Sequence, residues 1–85
     1  MEVINVKEIN KGALVKSFDL KLENYGMTIR DCLLMNGKNG KWIKMPSRMY
    51  EKDGEKKYYD YVIWDKERKA KLDEEIIFHL EGKEL

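Results

Sequence analysis

Apolar and polar positions alternate along most of this chain with the period of β-strands, and only the last stretch changes to a helical period. Residues 2–9 carry an apolar cluster, Val3, Ile4, Val6 and Ile9, with charged residues between, and read as a first strand. After a turn at Gly12, Leu14, Phe18, Leu20 and Leu22 share one parity while Ser17, Asp19 and Lys21 take the other. That is the pattern of a half-buried strand over residues 14–22. Asn24-Tyr25-Gly26 supplies turn chemistry, and residues 27–35 follow as a third strand with Ile29, Leu33 and Met35 in phase.

Two dipeptides suited to positive φ, Asn36-Gly37 and Asn39-Gly40, separate this strand from Trp42-Ile43-Met45, which predicts a hairpin into a fourth strand over 41–46. Pro46 has no N–H for a ladder, so the strand ends there or lies at an edge. Arg48 to Lys57 is polar and contains Asp53-Gly54, the composition of a loop or an extended hairpin tip. Residues 58–63 are β-rich and give a fifth strand. Asp65 suits an N-cap, and Leu72, Ile76 and Leu80, with Ile77 beside them, set one apolar stripe on a helix over 66–81 ended by Gly82 at C′. The predicted fold is α+β: one domain over residues 1–85, a five-stranded antiparallel meander followed by one C-terminal helix on a single face.

Length and composition narrow the class. Eighty-five residues, 42% hydrophobic and 39% charged, suit one soluble domain with a modest core. A chain of this size buries only about 60% of its unfolded surface, so pairing with a second copy would help it. No apolar run reaches the ~18 residues of a membrane span, and nothing resembles a signal peptide. The single cysteine, Cys32, permits no internal disulfide and fits a reducing cytoplasm.

The inventory argues against catalysis. His79 is the only histidine, a surface residue beside the helix stripe, so no histidine metal cluster or relay is available. Cys32 lies mid-strand without an evident base partner and reads as a buried thiol. Gly37 and Gly40 lack the following helix that a phosphate-binding loop needs. No cofactor, metal or small-molecule substrate is expected.

Charge and aromatic placement point to binding instead. The net charge is +1, yet residues 38–71 hold 11 basic against 6 acidic residues, and the remainder 6 against 10. Segregation of this kind can create a field that the total conceals. Lys66, Arg68, Lys69 and Lys71 occupy the first two helical turns, where cations oppose the helix dipole, unless pairs such as Glu67 with Lys71 offset the cost. Cations beside free helix-start N–H groups would attract phosphate. Tyr50, Tyr58, Tyr59, Tyr61 and Trp64 lie among Lys52, Lys56 and Lys57, a mixture that can stack bases. For Tyr59 and Tyr61, on one strand face, core filling is the better expectation. Phe78 points away from the helix stripe.

The string Asn36 to Arg48, NGKNGKWIKMPSR, resembles the signature of the stage V sporulation protein G family (SpoVG), the septation regulators. Gly37, Lys38, Asn39, Gly40, Met45, Pro46, Ser47 and Arg48 match its Gly-x-Asn-Gly turn and Met-Pro-Ser strand end, with Trp42 where the family usually has Phe. Asp53-Gly54, Asp60 and the opening Met1-Glu2-Val3 with Val6 are similar to further parts of the family pattern. The resemblance implies a small α+β fold that dimerises and a regulator that binds DNA and RNA through the start of its C-terminal helix. Arg68-Lys69-Ala70-Lys71-Leu72 stands where the family has threonine-arginine-x-lysine-isoleucine, keeping the charges and losing the threonine; the family's proline before the helix is replaced by the Trp64-Asp65 region.

The expectation is therefore a cytoplasmic, homodimeric nucleic-acid-binding regulator. Lys66, Arg68, Lys69 and Lys71 would hold phosphates, and Arg48, Lys56 and Lys57 would extend the patch. Gly37, Asn39, Gly40, Met45, Pro46 and Ser47 would set backbone geometry. The alternative is a protein-interaction module that pairs through a strand edge near Pro46 without binding nucleic acid.

Overall fold

The computed structural model describes residues 1–81, so the expected Gly82 cap lies outside the described residues. Its elements are β1 (Glu2–Lys11), β2 (Leu14–Leu22), a single 3-10 turn (Glu23–Tyr25), β3 (Met27–Gly37), β4 (Gly40–Lys44), β5 (Ser47–Lys52), β6 (Glu55–Asp60) and α1 (Lys66–Glu81). Strands β1 to β4 form one antiparallel sheet in sequence order, and β5 and β6 form a separate two-stranded ribbon. The α+β class and the closing helix are as expected. The single five-stranded sheet is not: there are six strands in two sheets, because Asp53-Gly54 closes a hairpin of its own. Both central residues of that turn have positive φ, Asp53 at 54° and Gly54 at 77°, the combination that lets a two-residue turn follow strand twist. The expected strand over 58–63 ends at Asp60, and residues 61–65 lead into the helix without ladder pairing beyond one bond, Tyr61 N–H to the Pro46 carbonyl (3.0 Å).

The core is the face of the four-stranded sheet beneath the helix. Phe18, Leu20, Ile29, Cys32, Leu34, Ile43 and Met45 are buried there against Leu72 and Ile76. The parity of β2 holds, but that of β3 breaks. Ile29 is buried, and past it the buried residues are Cys32 and Leu34, while Leu33 and Met35 are only half-buried. The cause is a bulge: between the pairs Phe18↔Cys32 and Leu20↔Ile29, β3 carries one residue more than β2. An extra residue flips every later side chain to the other face.

A matching irregularity lies between Ile4 and Lys7 of β1, so the central strand is flanked by bulges on both sides. Asn5 (φ 54°) and Asp31 (φ 61°) take the left-handed conformation there. Asp19 connects them: Asn5 Nδ2 donates to its Oδ2 (2.8 Å) and the Asp31 N–H donates to its Oδ1 (3.1 Å). The Asn5 hydrogen bond is the main influence that lowers the Asp19 pKa from its ordinary 3.8. Since the folded value is depressed, the carboxylate's contribution is fully present above pH 3.8 and fades as pH falls through the lower folded value. Accordingly Asp19→Asn should cost about 1 kcal/mol near neutral pH and flatten the loss of stability at acid pH, both read from urea unfolding across pH. An acid limb unchanged by the substitution would refute this bridging role.

Candidate nucleic-acid interface

The helix docks by a stripe with a polar end. Leu72, Ile76, Ile77 and Leu80 meet the sheet, and Lys69 and Asp73 continue the i, i+4 row of Ile77. These two reach the outer edge of β4 at one residue. Lys69 Nζ donates to the Ile43 carbonyl (2.6 Å), and the Ile43 N–H donates to Asp73 Oδ2 (3.3 Å). Lys69 Nζ also lies 2.8 Å from Asp73 Oδ1. An edge strand leaves unpaired backbone groups that invite another strand; here a side-chain pair occupies both groups of Ile43. At the far end, Lys16 Nζ donates to the Leu80 carbonyl (3.1 Å), and Lys41 pairs with Glu81. A cation at the helix C-terminus complements its dipole.

This arrangement sorts the sequence-predicted cations. Lys66, Arg68 and Lys71 surround a shallow depression at the helix start with Asp65 and Glu67. Asp65 stands at the cap position, its carbonyl accepting the Lys69 N–H (2.8 Å). Among the described residues no carboxylate lies within ion-pair distance of Lys66, Arg68 or Lys71; the one pair within the helix is Lys69–Asp73. The Glu67–Lys71 pair that would have offset the cost is thus not formed, although the neighbouring pair Lys69–Asp73 is. Lys69 differs from its neighbours: its ammonium is engaged in holding β4.

The remaining predicted cations lie on the ribbon, and its register separates them. Arg48↔Tyr59, Tyr50↔Lys57 and Lys52↔Glu55 share one face; Met49↔Tyr58 and Glu51↔Lys56 share the other. Arg48 and Lys57 are therefore together, and Lys56 is opposite. The Arg48 guanidinium carbon sits 5.3 Å from the Tyr59 ring centre, and the Tyr59 and Tyr61 rings meet edge to face at 6.0 Å. Tyr59 and Tyr61 are 55% and 60% exposed, which overturns their expected place in the core. Their strand is β-rich, but no layer covers the ribbon.

The Tyr58 side turns toward the body. Lys44 Nζ lies 4.2 Å from the centre of the Tyr58 ring and donates to Ser47 Oγ (3.1 Å). Tyr58, with Met35, Trp42, Met45, Val62 and Trp64, lines an apolar groove of about 590 Å³ that sequence reasoning missed, because its walls come from β4, the ribbon and the chain entering the helix.

The Asn36–Ser47 motif acts on backbone geometry. Lys38-Asn39 forms the turn and Gly37 pairs with Gly40, but of the four only Gly40 has positive φ (111°). Gly37 instead leaves room for Trp42: a Cβ there would stand 3.3 Å from the indole nitrogen. Met45 is buried, and Pro46 marks the passage from sheet to ribbon.

Cys32 is fully buried, and desolvation, with the Asp19 and Asp31 carboxylates adding to it, pushes its thiol up to about 12. Among the described residues no three metal-ligating side chains converge, and no helix is long and apolar enough to cross a membrane. Comparison with protein-family models, curated proteins and solved structures finds no match. Fold and site define a small α+β protein that presents free cations and uncovered aromatic rings.

Two measurements check these assignments. Lys69→Met should lower stability by about 1–3 kcal/mol, since it leaves the Ile43 carbonyl unpaired and Asp73 without its cation, whereas Lys71→Met should stay within about 0.5 kcal/mol. Equal effects in urea titrations would contradict the clasp. Cys32 should resist a thiol-modifying reagent in the native protein and react after denaturation; rapid native labelling would contradict its burial.

Proposed function

We propose that this chain is a nucleic-acid-binding regulator of the septation-protein type, acting as a homodimer in the cytoplasm. The observation that carries the reading is the ribbon face on which Arg48, Lys52 and Lys57 interleave with Tyr50, Tyr59 and Tyr61. Cations there neutralise phosphates, and rings offer surfaces to bases. Lys66, Arg68 and Lys71 add phosphate contacts at the helix start, where unpaired backbone N–H groups favour anions. Lys69 contributes by fixing the helix on β4. The motif from Asn36 to Ser47 supports the septation-regulator likeness through the turn and the sheet-to-ribbon passage that it builds. Dimerisation is supported by the small core and by exposed apolar side chains such as Trp42 and Ile63 beside the groove.

The apolar groove favours a second reading, a protein-interaction surface. Pairing through the β4 edge is the weaker form of it, because Lys69 and Asp73 already occupy both groups of Ile43.

Replacing Lys66, Arg68 and Lys71 together by alanine should weaken binding to any nucleic acid and lower the slope of log K against log salt by about 2, at ~0.7 per phosphate contact on a single strand. Gel shifts across salt concentrations give that slope. Unchanged affinity in low salt would remove the helix start from the site. Partner capture that survives high salt, with no retention on heparin or single-stranded DNA, would favour the second reading.

A further inference from the structure

The ribbon face carries more than charge. Tyr59 stands across from Arg48 and Tyr50 across from Lys57, so ring faces cation across the strands, and the two alternate along β5 through Arg48, Tyr50 and Lys52. Tyr61 continues the row past the end of β6, held by its N–H bond to Pro46. From the position of Tyr50 to that of Tyr61 the row runs about 13 Å, at ~3.3 Å per residue. The guanidinium of Arg48 and the edge-to-face contact of Tyr59 with Tyr61 set ring angles without covering the rings. Tyr50, the least exposed of the three, is still 40% accessible.

Core filling, the usual reason for tyrosine in a strand, does not apply: none of the three rings lines the groove or packs against the core cluster. The one acidic residue on the face, Glu55, lies 3.7 Å from Lys57 and leaves Arg48 and Lys52 without a carboxylate among the described residues.

We infer that this face is a stacking platform for the unpaired bases of single-stranded nucleic acid, with Tyr50, Tyr59 and Tyr61 taking base faces and Arg48, Lys52 and Lys57 the flanking phosphates. The inference rests on the nucleic-acid reading and narrows its ligand class. In a duplex the base faces are hidden by their neighbours, so a row of exposed rings has nothing to stack on; a single strand offers a π-face at every base. A row of this length matches the two or three bases that sheet-borne aromatic residues hold in RNA-binding modules. Every base stacks, so the platform tolerates sequence.

Fluorescence anisotropy with a labelled thymidine oligonucleotide of about 12 nucleotides, inside the span of a single-strand binding module, and with a duplex of equal length tests it in low salt. The full chain should bind the single strand at least tenfold more tightly than the duplex. Tyr59→Leu with Tyr61→Leu should lose about tenfold per ring on the single strand and leave duplex binding unchanged. Tyr59→Phe with Tyr61→Phe keeps the rings and should retain affinity, which separates stacking from loss of the ribbon's fold. Duplex binding as tight as single-strand binding overturns the platform. So does a leucine pair without effect, or a phenylalanine pair as weak as the leucine pair. If duplex binding persists in any of these cases, the nucleic-acid reading stands without the platform; if the unsubstituted chain binds neither probe, both fall.

Discussion

A four-stranded sheet has two faces, and the described residues supply one helix to cover them. That shortage governs the molecule. Phe18, Leu20, Leu34 and Ile43 go to full burial beneath Ile76, while the groups that would cover a second layer do not exist among the described residues. The ribbon β5–β6 is left outside the core as a consequence. A two-stranded hairpin is marginal in water by itself, so its order relies on the Asp53-Gly54 turn and on Lys44 against Tyr58. An element that gains stability from a ligand is well placed to be the one that recognises it.

The helix docks in one register because of a polar contact. Apolar stripes slide at modest cost, but Lys69 and Asp73 meet both backbone groups of Ile43 and would lose both in any shifted position. The same contact occupies the outward backbone groups of the β4 edge at Ile43. It also decides which cations remain available, since Lys69 is taken while Arg68 and Lys71 are exposed. Fold stability and the candidate site thus divide one short basic run between them.

Local patterns in the sequence account for the elements whose rules are local. The β2 parity, the turns at Gly12 and Asp53-Gly54, and the Leu72–Ile76–Leu80 stripe all appear in the structure as expected. Leu33 and Met35 do not, because the bulge at Arg30-Asp31 depends on Asp19 across the ladder, a contact that strand period cannot reveal. Tyr59 and Tyr61 fail for a related reason: β-propensity places an aromatic residue on a strand but is silent on whether another layer lies above it. Arg68 and Lys69 are equivalent as charges in a sequence, and only the docking of α1 on β4 distinguishes them. The groove is invisible for the same cause, its walls being drawn from three separate segments.

The ribbon is the exposed element of the described fold, and on the proposed function it is the one that a nucleic acid would order. Amide hydrogen exchange, followed residue by residue with and without a single-stranded oligonucleotide, tests it most directly. The account predicts weak protection at Arg48–Lys52 and Glu55–Tyr59 in the free protein, against strong protection in β2 and β3, and a marked gain along the ribbon when the strand binds. A free ribbon as protected as β2, or protection gained only at the helix start, would contradict it.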